Sequence, residues 1–116
     1  MFEVAIAVLV FLYLLVLALP GIEWQFAIGT IAALVGLVGG GGAGIVYHLA
    51  LHAALLRLEQ GTRGWLWSPV SRHGGLDDAG RRAVLPWFRV GAAGFFLCIA
   101  GIGVIGVAVL RAWLAG

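Results

Sequence analysis

Charge is what this sequence has least of. Only 10% of its 116 residues are charged, against 63% hydrophobic, and lysine is absent: all seven basic residues are arginine. Soluble domains carry roughly 25% charged residues. A soluble fold this small could not cover so much apolar surface with so few charges. Low hydrophobicity, the mark of a disordered chain, is missing too. The single cysteine, Cys98, excludes a disulfide framework, and no C-x-x-C or Cys/His zinc pattern exists. The net charge of +2 is too small and too dispersed for a nucleic-acid surface. With no nucleophile–base set and no H-E-x-x-H glutamate, the chain reads as neither an enzyme nor a metal protein.

What it has instead is long apolar runs. A bilayer core of about 30 Å takes about 20 apolar residues as helix. Three runs meet that need, at about 2–19, 25–56 and 87–113. The expected fold is an all-α integral membrane protein, one membrane domain over 1–116, with three transmembrane helices and a cytoplasmic loop, 57–86, between the second and third. Pro20-Gly21 punctuates the first span and Arg57 ends the second. Pro86 fits the first turn of the third, where a missing N–H costs little. The first run reads as a retained span rather than a signal peptide: it opens with Glu3 and no positive charge, and no A-x-A site precedes Pro20.

Arginine placement sets the expected orientation. Six of the seven (Arg57, Arg63, Arg72, Arg81, Arg82 and Arg89) lie in or beside the long connection, and Pro20–Trp24 has none. The positive-inside rule puts the long connection in the cytoplasm. Three spans then leave the N-terminus inside and the C-terminus outside, with Glu3 and Arg111 as contrary notes. Arginine without lysine, with abundant Gly and Ala, suggests a GC-rich bacterial source and so the inner membrane. Trp24 and Trp113 would mark one membrane face, and Trp65, Trp67 and Trp87 the other.

Glycine is the other abundance, with 19 residues. In the second run Gly29, Ala33, Gly36, Gly40, Ala43, Tyr47, Ala50 and Ala54 recur at alternating steps of four and three. Gly36, Gly40 and Gly44 overlay two G-x-x-x-G steps on this seam. Gly94, Cys98, Gly101, Ile105 and Ala108 form a weaker counterpart in the third run. Lipid tails are as apolar as leucine, so helices associate in a bilayer by close contact, and small residues mark the contact. Gly39–Gly42 leave the helix bare for more than one turn, where a kink is a further reading.

His48 and His52 follow, one turn apart, with Gly44 one turn before His48. A flat macrocycle on an axial histidine needs a small residue on the neighbouring turn, so Gly44, His48 and His52 form a candidate site for haem or (bacterio)chlorophyll. Depth points the other way. His48 lies about 36 Å along the helix from Trp24, at the inner interface, where water and phosphates satisfy a histidine. No cofactor is therefore expected, with the macrocycle as the alternative and a quinone or lipid headgroup contact behind it. His73, Asp77 and Asp78 are the only obvious further ligands.

In the connection, Asp77-Asp78 should open a short helix with acidic groups at its N-terminus. Arg72, Arg81, Arg82 and Arg89, with Trp65, Trp67 and Trp87, suit contact with anionic lipid or an acidic partner subunit. The plainer role for these charges is to set topology. The function expected is that of a non-catalytic accessory subunit of a larger bacterial membrane complex, respiratory or photosynthetic, packing against other integral membrane subunits. The three-span plan resembles small anchor subunits of respiratory complexes in topology alone. Two alternatives remain: an anchor subunit carrying a haem or chlorophyll-type cofactor on His48, and a small channel or transporter oligomer hinged at Gly39–Gly42. The latter lacks the deep ionisable residue that substrate pathways usually use.

Overall fold

A computed structural model describes all of residues 1–116. The chain is all-helical: α1 (Phe2–Ala18), α2 (Ile22–Arg57), a 3-10 turn (Pro69–Gly75) and α3 (Asp78–Ala115). The all-α class stands, but the plan of three transmembrane helices and a loop does not. Only two helices, α2 and α3, are long and apolar enough to cross a membrane. Helix α1 has 17 residues, about 26 Å at the helical rise, short of a core of about 30 Å. It stops at Ala18 because Pro20, which has no N–H, cannot extend it. The parity that put the two termini on opposite sides falls with the third span.

Nor is 57–86 a loop throughout, since a 3-10 turn and the first turns of α3 lie within it. Helix α3 starts at Asp78, so Pro86 lies inside it rather than in its first turn. The proline denies the Arg82 carbonyl its usual N–H partner. The stretch ahead of it holds because its start is capped: the Gly80 N–H donates to Asp77 Oδ1 at 2.8 Å, the side-chain capping that satisfies an orphan donor. The end of α2 is closed as well. Gln60 N–H donates to the Leu55 carbonyl at 2.9 Å and Glu59 N–H to that of Leu56 at 3.1 Å, with Glu59 at φ 54°. That is a Schellman closure with glutamate at the left-handed position glycine usually takes.

The chain forms two compact units, one of Met1–Leu34 with Leu97–Gly116, the other of Val35–Phe96. In the first, polar side chains close backbone groups that lipid could not. Gln25, fully buried, donates through Nε2 to the carbonyls of Val16 (3.2 Å) and Leu17 (2.7 Å). These belong to the last turn of α1, whose carbonyls have no partner within the helix. Tyr13 O–H donates to the Ala100 carbonyl at 2.9 Å, and Arg111 Nη1 to that of Pro20 at 2.6 Å. Helix packing here is tight: a Cβ on Gly29 would lie 2.8 Å from the Gly101 carbonyl oxygen.

In the second unit the two long helices run antiparallel, with Gly40 against Gly94 and Gly44 against Gly91. A Cβ on Gly40 would lie 2.9 Å from Gly94 Cα, a distance real side chains do not adopt. Tyr47, Leu51, Ala54 and Leu55 of α2 then bury with Leu76 and Val84, and Trp65 and Phe88 pack on this cluster. The connection therefore contributes to a small core, which an arginine-rich loop would not. Helix α2 passes through Gly39–Gly42 without a break.

Outside these contacts the helices are apolar and exposed. Only 22% of the most apolar stretch of α2 is buried, and 17% of that of α3. The core helix of a soluble protein is mostly buried. These proportions favour membrane association.

Candidate functional site

A groove in the second unit runs along α2 beside the start of the connection. Gly41, Gly44, Ile45, His48 and Leu49 form its floor and Trp65 and Leu66 its wall, around an open volume of about 450 Å³. A Cβ on Gly41 or Gly44 would meet nothing within 4 Å, so the room beside His48 is real. His48 donates Nδ1–H to the Gly44 carbonyl, one turn back, at 2.8 Å. A carbonyl only accepts, so Nδ1 carries the proton and neutral His48 keeps its lone pair on Nε2. That is the tautomer a metal-ligating histidine needs, with its other nitrogen oriented by a carbonyl. His52 stacks on Trp65, ring centroids 4.9 Å apart, and Trp65 lies 5.7 Å from His48. Three aromatic rings thus stand along one side of a bare helical face.

His73 is not part of this group. Its Nε2 is 2.6 Å from Tyr47 Oη, and its ring meets Phe88 edge-on at 5.1 Å. Burial holds the His73 pKa below its ordinary value, which favours the neutral ring as acceptor of the Tyr47 O–H. Asp77 turns to Arg57 in a two-pronged ion pair at 2.7 and 3.1 Å. The Arg57 bond and the Gly80 N–H hold its carboxyl down at about 2. No three of the histidine, cysteine and carboxylate side chains come together as a metal-ligand set.

The small-residue positions divide by unit. Gly29, Ala33 and Gly101 meet in the first, and Gly36, Gly40 and Gly94 in the second, where Ala43 is buried and Gly44 half-buried. Gly39 and Gly42 face outward, with no atom within 4 Å of a Cβ at either. Trp67 is 90% exposed and Trp87 43%, whereas Trp65 is turned inward onto the histidines. Arg72 is occupied by the Arg63 carbonyl. Arg81, Arg82 and Arg89 stay exposed along one row of α3.

Reading the sequence singled out none of Gln25, Tyr13 and the Tyr47–His73 pair. Gln25 had a signal, a lone amide just after the Pro20-Gly21 break of an apolar run. Tyr13 had none, since its partner is a backbone carbonyl 87 positions away. Comparison with family models, characterised proteins and solved structures finds no match to this chain.

Proposed function

We propose that this chain is a non-catalytic accessory subunit of a larger bacterial membrane complex, embedded through α2 and α3. The arginine-rich connection would face the cytoplasm, as the positive-inside rule asks. The observation that carries the reading is the pair Gly39 and Gly42. Both are exposed, with nothing within 4 Å of a Cβ, and Val35 and Val46 extend the same face at steps of four. Against lipid alone, glycine there weakens the helix by about 1 kcal/mol relative to alanine. Against a helix of another subunit it permits the backbone approach on which membrane association relies. Blue-native electrophoresis after mild solubilisation tests this. Migration with other subunits supports it, and migration as a lone chain overturns it.

One observation favours a second reading, in which the groove beside His48 holds a flat cofactor such as haem or a chlorophyll. His48 has its Nδ1 proton committed to Gly44 and its Nε2 lone pair free, beside two bare glycines. Pure protein would then carry a visible absorption band that His48→Ala removes. Colourless protein purified under conditions that retain such cofactors rejects this reading.

A further inference from the structure

The arginines, alike in the sequence, are sorted by the structure. Arg57 is neutralised by Asp77 in the one salt bridge of the chain. Arg72 is bound to the Arg63 carbonyl and Arg111 to that of Pro20. The guanidinium groups of Arg81 and Arg89 make no hydrogen bond, and that of Arg82 offers only Nε, to the Asp78 carbonyl at 3.3 Å. These last three share one side of α3. With Leu85 and Pro86 they line an open groove of about 220 Å³, and eight residues of rise spread the charges over about 12 Å. The carboxylate of Asp78 borders the group at one end and leaves it with excess positive charge.

We infer that this row is a binding site for the headgroup of an anionic phospholipid. The inference rests on the membrane reading of α3. Charge complementarity supplies the phosphate contacts, because guanidinium matches phosphate oxygens with paired N–H donors. The order of chemistry along the helix selects a lipid over an acidic protein segment. Beyond Arg89, α3 carries no charge until Arg111, and Val90, Phe95 and Phe96 are exposed. A phospholipid presents phosphate and then acyl chain in that sequence. An acidic peptide would match the arginines and leave the apolar continuation uncovered. Trp87, at the same level of α3 but on another side of the helix, is exposed and suits a membrane interface.

Native mass spectrometry of the full chain in detergent micelles tests this, with added phosphatidylglycerol or phosphatidylcholine of identical acyl chains. Wild type should bind the anionic lipid about tenfold more tightly, since each juxtamembrane arginine adds to the attraction of an anionic surface. R81Q/R82Q/R89Q should bind both lipids alike, while R63Q and the charge-keeping R81K/R82K/R89K should hold the preference. Equal binding by wild type, or a preference that survives the triple glutamine variant, overturns the proposal. So does binding of a polyglutamate peptide at these residues by a wild type that shows no headgroup preference. Failure of the membrane reading would show separately, as a chain that stays dispersed in buffer without detergent.

Discussion

At Gly40 there is no room for a methyl group. The position a Cβ would take is occupied by the Gly94 backbone, so a larger residue must drive two helices apart. Gly40→Leu should lower stability by about 3 kcal/mol, the upper range for overpacking, measured by denaturant titration in micelles. Glu59 is the reverse case, because a left-handed backbone strains any residue with a Cβ. Glu59→Gly should raise stability by about 1 kcal/mol. His73 sets a pH limit. Burial lowers its pKa below the ordinary 6.5, so its contribution is complete above 6.5 and is lost as pH falls through the lowered value. Amide protection over 69–76, corrected for intrinsic exchange, should fall in mild acid and depend less on pH in His73→Phe. The spacing of Gly29, Gly36 and Gly40 could be read directly because helical periodicity is local. The partners of Tyr13 and Arg111 could not, since each is a backbone carbonyl brought near by folding.

Among the elements, the apolar stretches of α2 and α3 were legible because mean hydropathy and length define them. Counting α1 as a third span failed on length: the helix ends at Ala18, ahead of Pro20, with 17 residues. The start of α3 was legible in Asp77-Asp78, but its continuity was not, because Pro86 reads as a boundary when only the residues after it are apolar. Its actual beginning depends on Asp77, which caps α3 and grips Arg57 together. The folded pKa of Asp77, about 2, lies below its model-peptide value of 3.8. Its contribution is therefore present above 3.8 and lost as pH falls through 2. Asp77→Ala removes both contacts, and amide exchange over 78–84 should accelerate at neutral pH while the central turns of α3 keep their protection.

For the whole molecule, most of its apolar surface has no protein against it. A chain with 63% hydrophobic residues and two long helices of which about a fifth is buried fits membrane association, and the proposed neighbours would cover its bare glycines. The groove beside His48 was legible as a candidate from the Gly44–His48 spacing. Its Trp65 wall was not, because the connection folds back through non-local contacts with Leu76, Val84 and Tyr47. Gly42 separates a packing role within the chain from one between chains. A Cβ there meets no atom of this protein within 4 Å, so leucine should leave helix content and thermal stability intact. Blue-native electrophoresis of the tagged wild type and Gly42→Leu, solubilised in mild detergent, is therefore the most direct measurement. Wild type should migrate in an assembly with other membrane subunits and Gly42→Leu as a folded single chain; a wild type that migrates alone, or a variant that keeps the full assembly, contradicts docking through this face.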